Sequence, residues 1–137
     1  MLEQPDTPNV EAAFVILSEE LIVADLRVMI GMDPDRSFGR GDPVGKSGRA
    51  FQRYSGWEVR VGPSAEAPEA VLGRLLDRLD PVADRVRLAA DDPRVAQVSL
   101  WIWSEGCEFK SSIAPGDIAR LARLGATLQV DAYDIRP

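Results

Sequence analysis

Between Arg36 and Arg60 the chain gathers Arg36, Arg40, Lys46, Arg49, Arg53 and Arg60 against only Asp42 and Glu58. That stretch carries +4 in a chain of formal net charge −6, which leaves −10 on the remainder. Guanidinium groups fork onto carboxylates and phosphates. Two chemistries are therefore open here. One is a solvated loop in which Arg36 and Arg40 clamp Asp33, Asp35 or Asp42. The other is a site for a phosphate, a carboxylate or an acidic partner surface. Gly45-Lys46-Ser47 resembles the end of a phosphate-cradling loop. That motif needs glycine where Arg40 stands, and a helix rather than a strand after it, so it is rejected. Arg40-Gly41-Asp42 matches an adhesion tripeptide, and three residues carry no weight in a chain without secretion features.

What is absent narrows the chemistry. There is no histidine and one cysteine, Cys107. The usual general base, the commonest metal ligand and every Ser-His or Cys-His nucleophile are missing. No zinc site and no cofactor are expected. Cys107 reads as a small buried apolar residue. The only carboxylates placed for acid-base work near aromatic side chains are Glu58, Asp131 and Asp134.

The aromatic residues form the second candidate group. Val95 to Trp103 alternates as a strand, with Ala96, Val98, Leu100 and Ile102 on one face and Gln97, Ser99, Trp101 and Trp103 on the other. Asp131 and Tyr133 share the tryptophan face from a neighbouring strand, along with Glu58 and Arg60. Such a face marks an interface or a ligand groove. Three states stay open for it: covered by the 32–50 loop, paired with a second copy, or docked on a different partner or ligand. A bulge would invert the parity and bury the tryptophans. Trp57 reads as a core anchor under the loop, with a stacking platform as the alternative. The candidate interaction or anion site is Arg36, Arg40, Arg53, Trp57, Arg60, Trp101, Trp103, Asp131 and Tyr133. No catalytic or metal-binding residue is assigned.

These residues need elements to hold them. Residues 1–10 read as a flexible arm, and 11–137 as one domain with a long loop at 32–50. Ala12 to Leu17 is apolar on both parities, which predicts a central strand. Leu21 to Ile30 carries Ile22, Leu26, Met29 and Ile30 at helical spacing, with Gly31 as C-terminal cap and Pro34 as stop. Trp57, Val59 and Val61 alternate as a strand. Pro68 opens a helix bearing Val71, Leu72, Leu75, Leu76 and Leu79. Asp80-Pro81 kinks it or starts a second helix, which runs through Val82, Val86 and Ala89. A turn at Ser104-Glu105-Gly106 leads to a shorter strand through Phe109 to Ile113. A helix from Pro115 closed by Gly125 then precedes a strand from Thr127 to Tyr133. This order predicts an α+β fold with a mixed or mostly antiparallel sheet of about five strands and helices packed on one face.

With 45% hydrophobic and 28% charged residues the composition is that of a soluble globule. A pI near 4.7 argues against nucleic acid as partner. No apolar run of roughly 18 residues predicts a membrane span. The lone cysteine and the absence of a secretory start make the cytoplasm the expected compartment.

Several landmarks in order resemble the bacterial domain of unknown function family DUF4279. They are Ile30-Gly31-Met32-Asp33-Pro34, Asp35-Arg36-Ser37, Arg40-Gly41-Asp42-Pro43, the strand opening Ser55-Gly56-Trp57, and the closing run from Leu124 to Tyr133. Leu21-Ile22-Val23 departs from it, being more apolar than the family's acidic helix start. The resemblance implies an α+β domain and transfers no reaction. The leading expectation is a non-catalytic interaction module, immunity-type or regulatory by analogy, that binds a protein partner or itself through the aromatic sheet face. The alternative is a small-anion binder, or a histidine-free enzyme, that uses Arg36, Arg40 and Arg53, with Asp131 or Glu58 as proton carrier.

Overall fold

The computed structural model describes residues 9–46, 48–105 and 112–133. In chain order they form β1 (Asn9–Ser18), α1 (Val23–Ile30), β2 (Arg36–Phe38), β3 (Pro43–Val44), β4 (Ala50–Phe51) and β5 (Ser55–Ser64). Then come α2 (Pro68–Leu79), a 3-10 turn (Asp80–Val82), α3 (Ala83–Asp91), β6 (Val95–Glu105), α4 (Pro115–Leu124) and β7 (Thr127–Tyr133). Five strands make one sheet in the order β2-β5-β1-β6-β7, while β3 and β4 pair as a separate ribbon. All neighbours in the sheet are antiparallel except β6 and β7, which are parallel. The fold is α+β with a mixed sheet, as the order of elements predicts.

β1 takes the central position because its sequence can be buried on both sides. Val10, Ala12, Phe14 and Ile16 enter the core beneath the helices, and Ala13 on the opposite side is only 1% exposed. Val98, Leu100 and Ile102 of β6 and Trp57, Val59 and Val61 of β5 complete the sheet's contribution. α2 supplies Val71, Leu72, Leu75, Leu76 and Leu79, all fully buried. Each contributes roughly 1.5–3 kcal/mol by leaving water.

Local signals close the elements. Gly31 and Gly125 take the left-handed conformation at the ends of α1 and α4, at φ 75° and 67°. Pro68 and Pro115 sit in the first turns of α2 and α4, where a missing N–H leaves no helical bond unmade. Ser18 ties three segments together. Its Oγ accepts from the Leu21 N–H at 2.9 Å and the Glu20 N–H at 3.2 Å, and donates to the Arg94 carbonyl at 2.6 Å. On β5 an extra residue intrudes between the pairs Ala12–Val61 and Val10–Ser64. Gly62 lies in this bulge at φ 95°.

Two expectations are corrected. The 32–50 segment contains regular structure: Arg36–Phe38 is the sheet's edge strand β2, and Pro43–Val44 pairs with Ala50–Phe51. The expected turn at 104–106 begins too early, because Ser104 and Glu105 still belong to β6. Gly106, Cys107 and most of the expected strand 109–113 lie outside the described residues, and Ile113 belongs to no strand.

Candidate functional site

Alternation along the strands places one set of side chains on the sheet face away from the helices. Cross-strand pairing puts them in rows. One row runs Arg36, Glu58, Val15, Ser99 and Thr127; the next runs Arg60, Ala13, Trp101 and Gln129; a third joins Glu11, Trp103 and Asp131. Phe38, Gly56, Leu17 and Gln97 form the row at the other end. Among the described residues no helix packs on this face: the apolar cluster shared with the helices draws only on the opposite parity.

Trp101 and Trp103 are half-buried here, and neighbouring side chains bear on both. The Trp101 Nε1–H donates to Ser99 Oγ at 2.9 Å, and the Gln97 amide donates to the same oxygen at 3.0 Å. Ser99 is thereby buried and satisfied, and Trp101 is held by a bond as well as by packing. The Arg60 guanidinium lies over the Trp103 ring at 5.9 Å from its centroid. It also bridges two carboxylates, Glu58 at 2.8 Å and Glu11 at 3.1 Å. Burial pulls its pKa down, but the hydrogen bonds and charges of Glu58 and Glu11 outweigh burial and leave it raised. The guanidinium is a permanent cation holding two carboxylates beside an indole.

Glu58 is only 5% exposed and Arg60 is its ion partner. Arg60→Met is expected to lower stability by about 1–2 kcal/mol, since a buried carboxylate then loses its counter-charge. The loss falls short of that for a fully buried pair because the Arg60 side chain is 37% exposed. Adding Glu58→Met should return most of it in urea unfolding. An undiminished loss in the double variant would mean that Arg60 acts through Trp103 instead.

The nine candidate residues separate cleanly. Arg36, Arg60, Trp101, Trp103 and Asp131 share the open face, and the β7 register places Tyr133 at its corner, opposite Glu105. Trp57 is removed from the candidates: it is 0% exposed in the core, meets Phe14 edge-on at 6.4 Å, and its Nε1–H donates to the Met32 carbonyl at 3.0 Å. Arg40 and Arg53 are also removed. Both turn to Glu19, Arg40 Nη1 to its carbonyl at 2.9 Å and Arg53 Nε to its carboxylate at 2.9 Å. They fasten the loop to the turn before α1. Nor do Arg36 and Arg40 clamp the loop's aspartates. Asp35 is held bidentately by Arg78 of α2, at 2.5 and 3.0 Å, and by the Arg60 N–H. The Arg78 hydrogen bond is the main reason its carboxyl sits below the ordinary aspartate range. Asp42 instead accepts from the Gly39 N–H. Arg36 makes no side-chain ion pair among the described residues.

Among the described residues the 32–50 segment joins the sheet at its edge through β2, and β5 and β1 stand between that edge and the tryptophans of β6. Glu11 and Phe38 of this face escaped sequence reading, whereas Ser99 was placed on it with the tryptophans. Glu11 carried a signal, as a polar residue in an apolar strand. The Phe38 ring lies on Gly56, where a Cβ would stand 2.1 Å from its Cζ.

A shallow cavity of about 400 Å³ lies elsewhere, lined by Leu21, Asp25, Val28, Met29 and Arg94. None of the nine candidates lines it. Its one guanidinium, Arg94, is engaged with Asp92, whose carboxyl it lowers to about 2. Among the described residues no cluster of three metal-ligating side chains occurs, and no helix is long and apolar enough to cross a membrane.

A family model described as "Domain of unknown function (DUF4279)" matches the chain over residues 8–135. No curated protein and no solved structure matches.

Proposed function

The chain belongs to the DUF4279 family, and from that premise we propose that it is an interaction module that binds a protein partner through the open face of its sheet. The observation that carries this reading is a pair of half-buried tryptophans, Trp101 and Trp103, on a sheet face that no helix covers among the described residues. Tryptophan and arginine anchors inside a charged rim are the composition of binding hot spots. Glu11, Glu58 and Asp131 outnumber Arg36 and Arg60 on this face, and the whole chain is acidic. The partner surface that fits is apolar at its centre and basic around it. The acidic remainder of the chain would raise the rate of encounter more than the final affinity.

The anion-binding alternative needs arginines converging on a concavity. Arg40 and Arg53 turn to Glu19 instead, and the cavity at α1 contains no candidate residue.

The test is double replacement of Trp101 and Trp103 by serine, beside a control on the helix side, Val28→Ser with Leu88→Ser. Val28 and Leu88 are 78% and 70% exposed. A partner held by the parent and by the control should be lost from the tryptophan variant by at least about thirtyfold in affinity. The circular dichroism melt should stay cooperative. Equal retention by both variants, or loss of the fold on removing the tryptophans, overturns the reading.

A further inference from the structure

We propose that β7 is a dimerisation edge. A second copy of the chain pairs its own β7 antiparallel to this one, about a two-fold axis at Val130, and two five-stranded sheets become one of ten. The proposal goes beyond the open-face reading and does not depend on it.

The two edges of the sheet differ in kind. β2 is three residues long, begins at an exposed arginine, and follows Pro34 closely. Short length, charge and proline are the devices that keep an edge from pairing. β7 is longer and free of proline, and its one charge is Asp131. It runs seven residues without proline, glycine, lysine or arginine, and its register with β6 is unbroken from Ser99–Thr127 to Glu105–Tyr133. Among the described residues β6 is its only strand neighbour. The backbone donors and acceptors on its outer side meet no strand among the described residues, and they form a row that another chain can pair with.

The occupant follows from the order of residues on the strand. Val130 is the midpoint of Thr127–Tyr133, so a two-fold axis there uses the whole strand. Thr127 then stands opposite Tyr133 of the second copy, Leu128 opposite Ala132, and Gln129 opposite Asp131. The strand's single charge meets an amide that can donate to it. An axis at Asp131 would oppose that carboxylate to its own copy, and an axis at Gln129 would shorten the ladder. The centre of the pair is apolar: Val130 faces the helix-covered side and is 44% exposed. Directly opposed residues share a face, so the open faces of both copies fall on one side of the joined sheet. Both tryptophan pairs then lie on a single surface.

Sedimentation velocity on the full chain over a concentration series tests this, with Val130→Lys, Gln129→Asp and Gln129→Lys. The parent should dimerise. Val130→Lys sets two ammonium groups against each other at the axis, and Gln129→Asp sets carboxylate against Asp131 twice. Each should raise the dissociation constant at least about tenfold. Gln129→Lys creates two opposite-charge pairs and should lower it by about threefold at low salt. Gln129 is exposed, so both of its variants keep the fold even if Val130→Lys does not. A parent that stays monomeric to about 1 mM overturns the proposal. So does a dimer indifferent to the Gln129 substitutions. A dimer abolished by Trp101→Ser with Trp103→Ser but unmoved at Gln129 would place the contact on the open face instead.

Discussion

Trp57→Ala is expected to lower the free energy of unfolding by about 3–5 kcal/mol, the range for emptying a buried tryptophan site. The indole is 0% exposed, packs edge-on against Phe14, and donates its N–H to the Met32 carbonyl just past α1. Its removal leaves a cavity at the join of β5, β1 and α1, and also leaves the Met32 carbonyl without that donor. Small domains hold only about 5–15 kcal/mol in all. The variant should therefore melt tens of degrees lower, or populate the unfolded state at room temperature. Trp57→Phe separates the two contributions. It fills most of the volume and loses the hydrogen bond, so its cost should be about 1–2 kcal/mol. Urea unfolding followed by circular dichroism measures both. A small loss for Trp57→Ala would show that the surrounding side chains collapse into the space.

Gly62→Ala should have the next largest effect, about 2–4 kcal/mol. Two independent obstacles meet at this position. At φ 95° the backbone occupies a region that L side chains rarely adopt. An added Cβ would also stand 2.5 Å from the Val10 carbonyl oxygen, which is backbone of the neighbouring strand and cannot swing aside. Either the bulge flattens, shifting Val61 out of register with Ala12, or β1 and β5 part at that end. Gly73→Ala is the control. That glycine lies inside α2, an added Cβ there meets nothing within 4 Å, and the change should stabilise by about 0.5–1 kcal/mol. If the two substitutions have equal effects, the bulge is not constrained as described.

Particular elements show what could be read from the sequence. α2, β6 and α4 were legible because burial on one side imposes a period, β1 because burial on both sides makes a continuous apolar run, and Pro68, Pro115, Gly31 and Gly125 mark helix ends that those residues suit. The parity that sets Trp101 and Trp103 on the face away from Leu100 and Ile102 was legible for the same reason. β2 was not. Arg36-Ser37-Phe38 is too short and too polar to show a period, and its place depends on a distant glycine, Gly56, leaving room for the Phe38 ring. The arginines were legible as a charge cluster but not as partners. Arg53 reaches Glu19, and Arg78 reaches Asp35 across 43 positions of sequence. Such pairings are set by how helices and loops come to rest, and no local spacing carries them. Strand order escaped for the same reason: nothing within Thr127–Tyr133 says that it lies parallel to β6.

The central place of β1 has a consequence for how the chain is made. Phe14 pairs on one side with Val59 and on the other with Leu100. The strand that leads the sheet in sequence order therefore has for neighbours β5 and β6, both produced long after it. During synthesis it must wait, apolar on both faces, until β6 has left the ribosome. Contacts of such long sequence separation slow folding and prolong the exposure of unpaired strand. The nascent chain should therefore be most prone to aggregate, and most readily held by a chaperone, in the interval between completion of β5 and arrival of β6.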